Sequence, residues 1–327
     1  MKFTKKPLTL LMLLAATIFS LYLYGCKDSV TTEETDDEFI KSVIINGYGQ
    51  SGANAEEDDI MGNEVNDLDD GGAVPDMDGL DTPIDSLIKW GRRISSISKT
   101  VTITNEGDTI KYATITTNIT GTYFIIGVVN SVVDTIAKPY TEEFKRIAWF
   151  KRVARNPRPR FNWRLYKVSM LDGETKTPQI GTQYVQMNKL EVYVNGTLAY
   201  TFMGPDFTQN IFTTRFFGGA GIPEVNRNDQ VKIIVYTFST QSEPDIVAWH
   251  WGKRNFGFHR EPFLMTSNNP NGGGWDRTYE KTFNIHNGHH VGRFNGCISA
   301  STHKSLWDDS PAEFASDIVG TPYRVRP

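Results

Sequence analysis

The segment Lys189–Phe202, KLEVYVNGTLAYTF, places Leu190, Val192 and Val194 at alternate positions, then Asn195-Gly196, then Leu198, Tyr200 and Phe202. Strict alternation buries one face of a strand. Asn-Gly between two such runs is a strong hairpin signal, because both residues tolerate the positive φ of a type I′ turn. The same period recurs in RNDQVKIIVYTFS (227–239), PDIVAWHWG (244–252), RTYEKTFNI (277–285) and GRFNGCISAST (292–302). Short strands separated by turn-rich segments predict a β-sandwich over residues 174–327, of the kind seen in immunoglobulin-like folds.

Upstream, residues 81–173 read as a small α+β unit. Thr82-Pro83-Ile84-Asp85 has the form of a helix start, with Leu87, Ile88, Trp90 and Ile94 as its apolar face. The period then changes to two. Val101 and Ile103 lead into a Gly-containing turn at Asn105 to Asp108, and Ile110, Tyr112, Thr114 and Thr116 return. EEFKRIAWFKRVAR (142–155) suits helix or strand. After Asn156-Pro157-Arg158-Pro159, FNWRLYKVSML (161–171) is a strand. A helix, long hairpins and a basic-aromatic strand in this order resemble the curved sheet of the NTF2-like superfamily. The expected fold class is therefore mainly β: a curved-sheet α+β domain, then an immunoglobulin-like sandwich.

The amino-terminal 25 residues have a different character. Lys2, Lys5 and Lys6 precede an uncharged apolar run from Leu8 to Tyr24. That is the layout of a signal peptide, although the run also approaches the length of a membrane span. Leu23-Tyr24-Gly25-Cys26 resembles the lipobox of bacterial lipoproteins. The resemblance implies a diacylated Cys26, cleavage just before it, and a membrane partner through the acyl chains. One chain anchors marginally and two or more anchor stably. With Cys26 acylated, Cys297 has no partner for an intrachain disulfide.

From Asp28 to Asp81 there are seventeen Asp and Glu residues, against Lys41 within the segment and Lys27 just before it. Low hydrophobicity with high charge predicts a flexible tether over 26–80. Phe39–Gly47 is its one apolar stretch, with Phe39 to Ile45 expected as a short helix or an added strand. Lys27-Asp28 and the acids after it resemble the surface-export signal of Bacteroidota-type lipoproteins. This implies an outer-membrane anchor and a cell-surface location, with a periplasm-facing position as the alternative.

Several residues carry candidate chemistry. Asp76-x-Asp78-Gly79-x-Asp81 resembles calcium-binding loops of the thrombospondin type, so Ca²⁺ is the candidate ion and no other cofactor is expected; a solvated linker has the same composition. His286, His289 and His290 could ligate a transition metal or simply occupy an exposed loop. Trp249, Trp251 and Trp275 could form a glycan platform or belong to the core. Ser86, Thr109 and Thr135 lie in Asp-Ser/Thr-aliphatic triplets resembling O-glycosylation sites of exported Bacteroidota-type proteins.

Lys145 to Lys167 holds nine Lys and Arg and no acid, with Phe144, Trp149, Phe150, Phe161, Trp163 and Tyr166 interleaved. The net charge of −4 argues against nucleic acid as a bulk partner. The stretch is expected to bind anionic glycan or lipid, to dock the protein's own acidic tether, or to be a solvated face. GxSxG, HExxH and P-loop patterns are absent. The sequence thus reads as a surface lipoprotein acting as a non-catalytic binding or assembly module, with other surface proteins or glycans as its expected partners. The alternative is a glycan-binding accessory protein or glycan hydrolase.

Overall fold

The computed structural model describes residues 34–46, 84–178, 184–252 and 258–327. It is mainly β, with two antiparallel-dominated sheets packed face to face. The first contains β1 (Ser86–Glu106), β2 (Ile110–Val129), β3 (Val132–Arg152), β5 (Leu171–Thr177), β16 (Ser316–Arg326), β15 (Gly292–Ser301), β11 (Ile246–Gly252) and β12 (Phe258–Pro262), in that order. β4 (Trp163–Ser169), β8 (Ile211–Thr213) and β9 (Glu224–Asn226) attach to its flank. The second runs β13 (Leu264–Asn271), β14 (Gly274–Asn284), β10 (Gln230–Ser239), β6 (Val185–Val194) and β7 (Thr197–Met203). The helices are α1 (Asp36–Asn46) and the one-turn α2 (His303–Trp307).

The alternating hairpin at 189–202 is β6–β7, and Asn195 and Gly196 both have positive φ, 51° and 79°. Val192, Tyr200, Phe202, Ile233, Val235, Trp249, Ile298, Val319 and Tyr323 fill the space between the sheets.

β1, β2 and β3 form a long meander in which the β2–β3 ladder runs unbroken from Ile110↔Lys151 to Val129↔Val132. The residues expected to start a helix near 82–94 instead pair with β2 from Ser86 onward. Register shifts at Leu87/Lys89 and Ile94/Ser96 explain the discrepancy. Each bulge changes the phase of the alternation, so inward residues on either side no longer keep period two and the spacing resembles that of a helix. The ambiguous 142–155 stretch is strand through Arg152.

The meander curls back on the sheet. Arg260 of β12 donates to the Trp90 carbonyl at 3.2 Å, with its guanidinium 3.3 Å from the centre of the Trp90 ring. Arg92 donates to Ser316 Oγ at 3.0 Å and lies 3.3 Å from Glu142 Oε1, all buried. Trp307 and Phe314 fill the curl with Tyr123 and Tyr140. The expected domain boundary at 173 falls inside β5, which pairs with β3 on one side and β16 on the other. Residues from both sides of it share one core, so the two expected domains are a single packed body.

The acidic segment is not uniformly a tether either. α1 buries Phe39, Ile40, Val43 and Ile44 against Ala113, Ile115, Ala148, Phe150 and Trp163.

Lys138 is fully buried and donates from Nζ to the carbonyls of Lys304 and Glu313, each at 2.9 Å. It thereby ties the 303–314 segment to β3. Burial pushes its pKa down to about 8, against the opposing charges of Asp308, Glu313 and Asp309. Below pH 8 both native and unfolded chains hold the proton, and the charged amine bears its full desolvation cost. Between about 8 and about 10.4, the ordinary lysine value, only the unfolded chain holds it. Stability should therefore rise with pH through this window, on the order of 1–3 kcal/mol. Urea unfolding from pH 7 to 10 should show this rise, and Lys138→Met should flatten it; an equal rise in the variant would assign the effect elsewhere.

Candidate anion site and basic face

The basic stretch 145–167 divides between the two faces of β3 and β4. Phe144, Ala148, Phe150, Trp163 and Leu165 point inward and are buried. Lys145, Lys151, Arg164 and Lys167 carry charge outward, whereas Arg146 is buried on the inward face. Lys151 Nζ sits 5.3 Å from the Tyr166 ring and 5.5 Å from Phe217, and Lys167 Nζ sits 4.8 Å from Tyr166. Tyr166 meets Phe217 edge-on at 5.1 Å, and Phe217 meets Phe216 at 4.9 Å. Phe216 is 66% exposed. Such cation–π contacts contribute about 0.5–1 kcal/mol each at exposed sites and hold the amines over an aromatic floor.

Phe216 and Phe217 belong to the 3₁₀ turn Arg215–Phe217, which Gly218 ends with φ 77°. Thr214 fixes this turn to β4, donating from N to the Tyr166 carbonyl at 3.0 Å and from Oγ1 to the Leu165 carbonyl at 3.1 Å. Arg215, the first residue of the turn, reaches the other way, to Glu224 of β9.

Glu224 is the centre of an arginine cluster. β9 lies parallel to β16, with Glu224 opposite Arg324. On β16 the inward Tyr323 and Val325 contribute to the sandwich core, so Arg324 and Arg326 face the opposite side. Arg326 reaches the Glu224 carboxylate from Nε at 2.7 Å and Nη2 at 3.2 Å, and Arg324 Nη1 lies at 3.4 Å. Burial pushes the Glu224 carboxyl up, but the hydrogen bonds from Arg326 and Arg215 outweigh it and hold the pKa below the usual value. On the far side of Arg324, Arg293 of β15 is its direct ladder partner. Arg215, Arg293, Arg324 and Arg326 line one open pocket of about 550 Å³ with Val291 and Gly292. Guanidinium forks match the oxygens of phosphate, sulfate and carboxylate. None of these residues was singled out from the sequence. They come from positions more than a hundred residues apart, and only Arg324-Val325-Arg326 carries a local pattern.

The residues singled out from sequence are dispersed. Trp249 is buried, packed on Gly296 and near the rings of Phe283 (6.5 Å) and Tyr323 (6.0 Å). It is a core residue, which removes it from the glycan-platform reading. Trp251 lies in β11, but its side chain is outside the described residues. Trp275 is half-buried, with the Arg277 guanidinium 5.9 Å from its ring. His286 and His290 are exposed; His289 packs edge-on to Phe294 at 4.9 Å, and its Nδ1 lies 2.8 Å from the His290 carbonyl. Among the described residues no group of three His, Cys, Asp or Glu side chains is placed to hold a metal ion. Ser86, Thr109 and Thr135 are all exposed. Cys26, Asp76, Asp78 and Asp81 lie outside the described residues.

The acidic segment meets the basic stretch at Arg152 and β2 at Lys111. Asp36 pairs with Arg152 at 2.6 Å, and Asp37 pairs with Lys111. No helix among the described residues is long and apolar enough to cross a membrane.

No protein-family model, curated protein or solved structure matches the chain.

Proposed function

We propose that the chain is an outer-membrane lipoprotein, acylated on Cys26 and displayed at the cell surface, that acts as a non-catalytic binding module for anionic glycan or lipid. The observation that carries the binding part is the basic-aromatic face of Lys151, Tyr166 and Lys167 with Phe216 and Phe217. The anchoring part rests on the lipobox-like residues before Cys26. Acyl chains on an exported protein would hold this face close to anionic headgroups and surface saccharides, where a basic surface raises the local concentration of its ligand.

One variant tests both parts. Expressed in a lipoprotein-processing host, Cys26→Ala should lose metabolic labelling by palmitate. Purified in detergent, it should still be retained at low salt on immobilised sulfated polysaccharide, and not on neutral dextran. Labelling that persists would overturn the anchor. Equal behaviour on the two matrices would overturn the binding reading.

A further inference from the structure

We propose that the core of the sandwich holds a binding slot for the end of a lipid acyl chain. The slot lies between the two sheets and is separate from the basic face. It rests on the function proposed above only for a supply of lipid at the membrane.

The side chains between the sheets leave a gap of about 80 Å³. Native interiors contain few voids larger than a water molecule, and an empty one costs stability in proportion to its volume. Leu190 and Ile233 line this gap from the five-stranded sheet and Ile298 from the larger one, with the rings of Phe202 and Trp249 between them. The lining is almost wholly hydrocarbon. Tyr200 brings a hydroxyl, but that group is engaged: it accepts the Glu224 N–H at 2.9 Å and donates to the Glu224 carbonyl at 3.4 Å. Thr321 Oγ1 donates to the Pro322 carbonyl at 3.2 Å. A water held in such a space needs two to four polar partners, whereas an apolar cavity stays dry and takes apolar guests.

The gap is not sealed. Val192, Tyr200, Phe283, Thr321 and Tyr323 all line it and are all partly exposed, which gives a guest a route in from solvent. Its walls are also set before a guest arrives. Tyr200 is pinned through its hydroxyl, and Trp249 lies flush on Gly296, where even a Cβ would come within 2.3 Å of the indole. A preformed site binds at a lower entropic cost.

Size and polarity together choose the guest. The space is too small for a fused-ring hydrocarbon such as a sterol, and its walls offer nothing to a polar molecule. An acyl chain is thin. Its end can enter while its polar head stays outside, and each methylene that enters leaves water.

The test uses the full-length Cys26→Ala chain, which has no acyl chains of its own to compete, whichever way the anchor reading falls. It is solubilised in a bile-acid detergent too bulky for the slot. The probe is dodecanoic acid with a diazirine at the chain end. Irradiation should give saturable labelling that excess unlabelled dodecanoic acid displaces, and mass spectrometry should map the label to β6, β7, β10 or β15. Val192→Phe at the opening and Ile233→Phe inside should each lower labelling at least tenfold, with unfolding curves confirming that both fold. Should Ile233→Phe not fold, Val192→Phe decides. Retention on sulfated polysaccharide should be the same in the filled variants as in their parent, so the slot and the basic face are read separately. Label found only outside these strands, or undiminished in a folded Val192→Phe chain, would overturn the slot. So would a rise in melting temperature with benzene and no labelling by the fatty acid, since the gap would then be a packing void.

Discussion

Asp245→Ala should lower the free energy of unfolding by about 3–5 kcal/mol, the range for breaking a buried ion pair from one side. Asp245 and Arg277 are both fully buried side chains, joined at 2.8 Å. The pair sits where the chain crosses between sheets, since β10 lies in one sheet and β11 in the other. Arg277 of β14 clamps this crossover. It donates to the carbonyls of Gln241 at 2.5 Å and Ser242 at 2.8 Å, and to Asn268 Oδ1 at 2.9 Å. Asp245 accepts from Ser239 Oγ at 2.7 Å, and its own N–H donates to Tyr279 Oη at 2.9 Å. Burial raises the Asp245 carboxyl pKa, and Arg277 and Ser239 oppose that rise. Truncating the carboxylate leaves a guanidinium with no solvent and no counter-charge. Arg277→Met/Asp245→Leu should lose less than the single change, because neither charge is then stranded. A double-mutant cycle in guanidinium chloride measures the difference. A loss below about 1 kcal/mol for Asp245→Ala would show that the crossover does not depend on this pair.

The sandwich was legible because its signals are local. Asn195-Gly196 states its own turn, and the alternation in β6 and β10 marks which side chains face in. Alternation does not say what lies opposite, however. Trp249 and Trp251 share a face by spacing, but only the packing of Trp249 on Gly296 makes that face core. The meander was partly hidden because its devices lack a sequence signature. The β2–β3 turn uses Asn130 and Ser131 at positive φ, 51° and 64°, without glycine. The bulges in β1 leave a spacing that a helix would also produce. The arginine pocket was invisible for a different reason. Its members meet only through the parallel β9–β16 pairing and the β15–β16 register. Both are long-range choices that no window of sequence contains.

Helix α1 is where reading charge density misled most, and it makes the second strong prediction. Ile40→Ala should cost about 2–5 kcal/mol and Phe39→Ala about 3–5 kcal/mol, although both residues lie in the most acidic part of the chain. Eleven residues alone make a marginal helix in water, so the docked face must supply what local propensity does not. The start is well defined. Thr35 and Glu38 form a reciprocal capping box: Glu38 N–H donates to Thr35 Oγ1 at 3.2 Å, and Glu38 Oε2 accepts the Thr35 N–H at 2.8 Å. Asp36, Asp37 and Glu38 stand at the positive end of the helix dipole. Three of the seventeen acids read as a disorder signal are thus helix-start chemistry. Asp36 and Asp37 then meet Arg152 and Lys111, whose charged groups lie 4.9 and 5.4 Å from the Trp163 ring. These partly exposed pairs contribute at most about 1 kcal/mol each and serve mainly to set the docking angle. The apolar contacts dominate. Ile45, on the same helix, is 55% exposed, so Ile45→Ala should change stability by less than about 0.5 kcal/mol. Urea unfolding of the three variants separates the cases. If Ile40→Ala matches Ile45→Ala, the helix does not belong to the core; if it unfolds several kcal/mol earlier, the acidic segment begins with a structural element that the sheet needs.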